Sequence, residues 1–310
     1  MMSKVDAMEH TGTHWTDAMQ DLMELAFRED LGVGKVSAGA EGDHTTAACI
    51  PINADESAGF LMKEAGVIAG LDVARRVYAH GAAGVQFDAL ATDGQWVEKG
   101  DIVARVSGPA RGLLGCERLA LNFMQRMSGI ATATRQSVKA LSGTATQVLD
   151  TRKTTPGIRD FEKLAVRCGG GVNHRMGLYD AVMIKDNHID YAGSLRKAVE
   201  RVSSYLGNKG LRSMDVIVEV RNLDEVREAL ASPGIRRLLF DNFSPEETRE
   251  AVQIVAGRLE TESSGGLTPD SIRPYAEAGV DFVSLGYITH SARNLDISLL
   301  SDAALTSSST

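Results

Sequence analysis

Val148-Leu149-Asp150-Thr151-Arg152-Lys153-Thr154-Thr155-Pro156-Gly157 opens, and Met183-Ile184-Lys185-Asp186-Asn187-His188 nearly closes, the segment 148–190 that decides the fold. The apolar runs Gln147–Leu149 and Ala181–Ile184 have the length and composition of buried strands in a parallel sheet. Each ends in charge: Asp150, Arg152 and Lys153 after the first, Lys185 and Asp186 after the second. Between them Ile158, Phe161, Leu164, Ala165 and Cys168 fall at helical spacing, with Thr155-Pro156 as cap and first-turn proline and Gly169-Gly170-Gly171 as the stop. Asn173-His174-Arg175 follows the glycines. Arg152, Lys153, His174, Arg175 and Lys185 therefore sit on loops or strand ends, and two βα units that share a rim bring them together. Like charges about 4 Å apart repel by roughly 4 kcal/mol at an effective dielectric near 20, so such a cluster calls for an anion. Each cation taken singly is open to a plainer reading as a salt-bridged loop end, since Asp150, Asp160, Glu162, Asp180, Asp186 and Asp190 lie close in sequence.

Working outward, the 310 residues exceed the roughly 250–300 at which one core stops growing, which predicts two domains. With 43% hydrophobic and 24% charged residues the composition is that of a globular protein, and the net charge of −8 argues against a general nucleic-acid or membrane-surface binder. Cys49, Cys116 and Cys168 form no C-x-x-C pair, which fits free thiols in a reducing compartment and no zinc site. The polar start, Met1 to His14, reads as disordered. It has no apolar signal core and no run approaches the roughly 18 apolar residues of a membrane span, so the expected location is cytoplasmic.

In the N-terminal part, Trp15, Ala18, Met19, Leu22, Leu25 and Ala26 make a helical packing stripe. Gly34–Gly42 reads as a floppy loop of small residues. Ala58–Lys63 and Val85–Leu90 read as strands with a helix over Leu71–Ala79 between them, and Gly94–Val106 as a hairpin turning at Lys99-Gly100-Asp101. Residues 15–116 are expected to form an α/β sandwich domain with its helices on one sheet face. Glu117–Leu141 reads as one long helix that buries Leu119, Phe123, Met127 and Ile130. After it the pattern strand, charged end, cap, helix repeats through Asp215–Val220, Arg237–Phe240, Arg258–Glu262 and Asp281–Leu285. Asn222-Leu223-Asp224-Glu225 and Ser244-Pro245-Glu246-Glu247 fit capping boxes, and Thr268-Pro269 a helix start. This predicts an open, TIM-like parallel α/β barrel over residues 117–290. The segment 291–310 is expected to pack on the first domain and to end, from Ser301, in a frayed tail.

Barrel chemistry gathers at the C-terminal ends of strands. Taken in order those ends carry Arg152/Lys153, Lys185, Glu219, Asp241, Ser263-Ser264-Gly265-Gly266 and Leu285-Gly286-Tyr287. Glycine turns let backbone N–H groups approach a phosphate, and Glu219 with Asp241 suits sugar hydroxyls and Mg²⁺.

The blocks 150–157, Gly169-Gly170-Gly171-Val172-Asn173-His174-Arg175 and Ile184-Lys185-Asp186-Asn187-His188-Ile189 resemble the signature blocks of the quinolinate phosphoribosyltransferase family. So do Glu29-Asp30-Leu31-Gly32 with Asp43-His44-Thr45-Thr46, Cys116–Asn122, Ser128–Thr132, Val218–Val220, Leu239–Asn242, Glu262–Gly266 and Thr289-His290-Ser291, in the family's order from Glu29 to Leu295. The resemblance implies conversion of quinolinate and 5-phosphoribosyl 1-pyrophosphate to nicotinate mononucleotide, pyrophosphate and CO₂, with Mg²⁺, in NAD biosynthesis. It implies that Arg118, Thr151, Arg152, His174, Arg175 and Lys185 hold the acid, with Arg118, by residue type alone only a surface arginine, donated across a homodimer. Lys153 and Lys185 are then expected to assist pyrophosphate, Glu219 and Asp241 to meet the ribose and, directly or not, Mg²⁺. Ser264, Gly265, Gly266, Leu285, Gly286 and Tyr287 would take the 5′-phosphate. Ile217 departs from the family's pattern, which often has glutamate there. Alternatives are a relative acting on another acid, a Schiff-base aldolase using Lys185, and a non-catalytic phosphate-ligand sensor.

Overall fold

The computed structural model describes residues 15–307, with side chains to Leu305; the disorder expected for residues 1–14 lies outside the described residues. In chain order the elements are α1 (Asp17–Leu31), α2 (His44–Cys49), β1 (Asp55–Met62), β2 (Gly66–Val67), α3 (Leu71–Gly81), β3 (Gln86–Ala89), β4 (Trp96–Val97) and β5 (Ile102–Pro109). Next comes α4 (Ala110–Ala140), followed by β6 (Gln147–Leu149), α5 (Arg159–Cys168), β7 (Val182–Ile184), α6 (Asp186–Ala192) and α7 (Leu195–Lys209). The rest is β8 (Val216–Val220), α8 (Leu223–Leu230), β9 (Arg237–Asp241), α9 (Pro245–Val255), β10 (Glu260–Ser264), α10 (Arg273–Ala278), β11 (Phe282–Ser284), α11 (Tyr287–His290), β12 (Ile297–Ser301) and α12 (Asp302–Ser307).

The first sheet is antiparallel in the order β12-β1-β5-β3. Its core gathers Phe60, Met62, Val103, Val106 and Tyr78 with the first turns of α4. The C-terminal segment supplies the edge strand: Met62 pairs with Ile297 and Ala58 with Ser301. Instead of fraying, the chain beyond Ser301 turns into α12 and lays Leu305 over Gly59, where a β-carbon would stand 2.9 Å from Leu305 Cδ1. Helical cover is thus not confined to one face.

Three expectations for this half fail for identifiable reasons. The turn at Glu98–Asp101 exists, but its two arms part: β4 pairs with β2, and β5 with β1 and β3, so there is no hairpin. The segment 34–42 is packed, not floppy. Val36 N–H donates to the Gly81 carbonyl at 2.9 Å, Ala40 is buried, and Val36 fills the space left by Gly115. On α1 the buried face runs Met19, Met23, Phe27, Leu31, one residue per turn, and leaves Leu25 exposed.

Helix α4 begins at Ala110, not at Glu117, because Gly112 and Gly115 sit where neighbours press against the helix rather than where it ends. It serves both cores: Leu113, Cys116, Ala120 and Met124 face the first, and Met127, Ile130, Ala131 and Ala133 the second. The division between the two halves falls inside this helix.

The second sheet is wholly parallel, order β6-β11-β10-β9-β8-β7, and β6 and β7 do not pair, so the barrel is open. The triple glycine leads to a one-residue strand, Val172, that bridges Leu149 on the free edge of β6. Helix caps explain most boundaries. Ser244 and Glu247 form the reciprocal capping box at α9. Asn222 caps α8, but Glu225 turns back to Arg221, so that box is half made. Thr155 does not cap α5; its N–H and hydroxyl donate to the buried Glu162, and the helix starts at Arg159. Thr268 and Ser271 close a turn ahead of α10, which starts only at Arg273.

Candidate active site

The C-terminal ends of the barrel strands open into a cavity of about 470 Å³. Thr151, Arg152, Lys153, His174, Arg175 and Lys185 line one side, Glu219 and Asp241 the next, and Ser264, Gly265, Gly266, Gly286 and Tyr287 the third. Two expected residues are elsewhere. Leu285 is fully buried and braces the wall, its N–H donating to the Leu149 carbonyl at 3.0 Å. Arg118 projects from the exposed face of α4, outside the cavity of its own chain.

Lys153, His174 and Lys185 are held by their backbone. Thr151 Oγ1 accepts the N–H of Lys153 at 3.0 Å, while the Lys153 carbonyl accepts the Thr289 hydroxyl at 2.8 Å. At β7, His188 Nδ1 accepts the N–H of Lys185 at 3.0 Å. Beneath the 172–175 loop a buried Asp150 accepts from Lys163 Nζ, from Asn173 Nδ2 at 2.6 Å and from His174 N–H at 2.8 Å. Burial pushes the Asp150 carboxyl up and the Lys163 ammonium down; the two are paired inside the core and do not line the cavity.

The plainer reading of the cations fails on where the carboxylates went. Asp150 is taken by Lys163, Asp160 by Thr16, and Glu162 by Arg126 and Thr155. Asp180 accepts the N–H groups of Met176 and Gly177, Asp186 that of Asn187, and Asp190 pairs with Arg221. Among the described residues no carboxylate ion-pairs with Arg152, Lys153 or Arg175. Burial, and then the charge of Arg152, lower the pKa of Arg175 from its ordinary value, as expected of cations facing one another. Lys185 is paired with Glu219 at 2.5 Å, and His174 Nε2 lies 3.5 Å from Glu262.

The glycine side is as constrained. Gly265 has φ +106°, and a β-carbon there would fall 2.2 Å from Asn242 Oδ1. Asn242, itself left-handed at φ 58°, donates its side-chain amide to Asp241 at 2.8 Å and its N–H to Ser264 at 3.0 Å. The N–H groups of Gly265, Gly266 and Gly286 have no acceptor among the described residues and can meet an anion. At Gly286 a β-carbon would strike the Lys153 side chain at 2.9 Å and the His290 ring at 3.0 Å.

Sequence reading missed several lining residues: Met183, Leu239, Glu262, Leu267, Thr268, Ser284 and His290. Glu262 stands out, fully buried, with Arg237 Nη1 at 3.0 Å. The available signal is an acid in the middle of an otherwise uncharged run, Thr261-Glu262-Ser263, which by sequence reads as a strand end. Ile217 does not line this cavity; it is buried below Glu219.

Residues 130–300 match the family model "Quinolinate phosphoribosyl transferase, C-terminal domain", and residues 43–128 match the N-terminal domain model. The chain belongs to the quinolinate phosphoribosyltransferase family. It is 42% identical to the chloroplastic nicotinate-nucleotide pyrophosphorylase [carboxylating] of Arabidopsis thaliana, over 94% of this chain and 85% of the relative. With the probable enzyme of that name from Bacillus subtilis it shares 38% identity over 91% of this chain and 92% of the relative. The crystal structure of NadC from Streptococcus pyogenes superposes with a TM-score of 0.85 at 40% identity, covering 94% of this chain and 99% of that one. For the nicotinate-nucleotide pyrophosphorylase of Francisella tularensis the figures are 0.82, 37%, 92% and 96%. This phosphoribosyltransferase has, among its described residues, no helix long and apolar enough to cross a membrane.

Proposed function

We propose that the cavity joins quinolinate to 5-phosphoribosyl 1-pyrophosphate and releases nicotinate mononucleotide, pyrophosphate and CO₂. The observation that carries this is the division of one cavity into a side with unpaired cations, a side with two carboxylates and a side of free backbone N–H groups. That order matches a dicarboxylate, a ribose and a 5′-phosphate. Arg152, His174, Arg175 and Lys185, together with Thr151, bind and orient the acid. Lys153 and Lys185 neutralise the departing pyrophosphate, and Glu219 and Asp241 face the positive charge that grows on the ribose ring. Once the ring nitrogen is ribosylated, the bond to the adjacent carboxylate breaks; CO₂ leaves, its electron pair stays on the ring carbon among fixed cations, and that carbon takes a proton. Lys185, engaged with Glu219, gives the Schiff-base reading no support.

Among the described residues no three His, Cys, Asp or Glu side chains cluster to hold a metal. The hard oxygen donors of Glu219 and Asp241 fit Mg²⁺, which they would hold directly or through water. Bound there, it would supply charge neutralisation for the leaving group.

We further infer a homodimer that donates Arg118 across its interface. Arg118 lies on an exposed face of α4 beside the exposed Leu114 and Asn122, and so is available to a second copy. The free Cys49, Cys116 and Cys168 support a cytoplasmic location. A spectrophotometric assay with purified protein, quinolinate, phosphoribosyl pyrophosphate and Mg²⁺ tests the reaction, and absence of nicotinate mononucleotide refutes it.

A further inference from the structure

We propose that Glu262, held from the far end of the barrel by Arg237, is a positioning residue that fixes the His174 imidazole and, through it, Arg175 on the acid-binding side. This rests on the functional reading above, since His174 lies on the acid-binding side. Glu262 sits mid-bore on β10, in register with Leu239 of β9 and Phe282 of β11. Arg237 is the first residue of β9, at the end of the strand opposite Asp241; it lies over the Phe282 ring, 4.0 Å from its centroid, and reaches Glu262 Oε2 at 3.0 Å. On the cavity side the same oxygen stands 3.5 Å from His174 Nε2.

The ring's protonation pattern follows from its other nitrogen. His174 Nδ1 accepts the Arg175 N–H at 2.6 Å, so the imidazole proton is on Nε2, the atom that faces Glu262. Both His174 Nε2 and Glu262 Oε1 are buried without a hydrogen-bond partner, and both residues line the cavity. A buried ion pair such as Arg237–Glu262 is a poor source of stability compared with apolar side chains of equal volume. Its value is directional. The carboxylate favours the imidazole proton on Nε2, which keeps Nδ1 an acceptor for the Arg175 N–H, while Arg237 tempers the charge that an incoming anion meets. Burial pushes the Glu262 carboxyl up, but His174, Arg237 and Ser284 together hold it below its ordinary value, so it stays ionised beside the ring. Lys163 fixes the same residue from behind, donating to the His174 carbonyl at 2.8 Å.

The test is steady-state kinetics of the full-length enzyme with quinolinate and phosphoribosyl pyrophosphate in Mg²⁺. Glu262→Gln is expected to raise KM for quinolinate roughly tenfold or more, as the His174 ring and Arg175 lose their placement, and to leave KM for phosphoribosyl pyrophosphate within about twofold. In a His174→Gln background the same change is expected to add nothing, because it acts through the ring. An unchanged quinolinate KM, an equal rise in both KM values, or full additivity in the double mutant overturns the proposal while leaving the functional reading intact. A wild-type enzyme that makes no nicotinate mononucleotide overturns both. Should Glu262→Gln fail to fold, ¹⁵N-histidine NMR of the wild-type decides, with the His174 signals assigned by their loss in His174→Gln. A proton on Nε2 with Nδ1 as acceptor supports the arrangement, and a proton on Nδ1 overturns it.

Discussion

Gly265 is the least replaceable residue of the cradle, since its φ of +106° and the 2.2 Å approach to Asn242 both exclude a side chain. Gly265→Ala is expected to cost about 1–3 kcal/mol of stability and to raise KM for phosphoribosyl pyrophosphate more than that for quinolinate. Thermal denaturation and two-substrate kinetics would show it. On the acid side, Arg152→Ala/Lys185→Ala is expected to lower kcat/KM for quinolinate by at least about 10²-fold, and full turnover in that variant would refute the assignment. Residues such as these were legible because strand ends announce themselves: an apolar run stops and charge begins. Glu262 was not, because a charged residue inside a barrel strand reads as the strand's end unless its partner Arg237, 25 positions away, is known to lie alongside. Leu285 was misplaced for a related reason, in that proximity in sequence to Gly286 says nothing about which way a side chain points.

Among elements, the β9–β10 pair carries a charge ladder as well as a hydrogen-bond ladder. Arg236 and Arg237 both bond Glu260, at 2.6 and 3.0 Å. Burial raises the Glu260 carboxyl, but the two arginines outweigh it and its folded pKa lies below the ordinary 4.5. A depressed folded pKa gives stability that is complete above the unfolded value and is lost as pH falls through the folded one. The thermal midpoint is therefore expected to decline below about pH 4.5, and Glu260→Gln to flatten part of that decline. An identical pH profile in the two proteins would refute it. Element reading succeeded where local chemistry was decisive, as at the Ser244 cap and the Gly169 stop. It failed where a long-range partner chose for the chain. Trp96–Val97 pairs with Gly66–Val67 and not with its neighbour across the Lys99-Gly100 turn, and Thr155 serves Glu162 and not the helix it precedes.

At the scale of the molecule, the repeat of strand and capped helix gave the barrel, but whether the ring closes depends on β6 and β7, which sequence cannot show to be unpaired. Chain truncation after Asp296 removes the edge strand β12 and the buried Leu295–Ile297 junction from register, and is expected to leave the first domain unfolded; a native near-ultraviolet spectrum would refute this. Mixing Arg118→Ala with Lys185→Ala protein, after dissociation and reassembly, is expected to restore roughly a quarter of wild-type activity, because half the pairs are hybrids with one intact site. No recovery would place Arg118 in its own subunit's site, and full activity of Arg118→Ala by itself would place it outside the chemistry.

The 31-residue helix α4, common to both cores and pressed at Gly129 against the Arg293 carbonyl, acts as an axle rather than a joint. At its Ser128-Gly129 step, the kind of pair at which helices kink, Ser128 exchanges hydrogen bonds with the Ala69 backbone and Gly129 is packed on the Arg293 carbonyl. The width of the aperture above the strand ends is thus preset when the chain folds, held by the same rod that carries both halves.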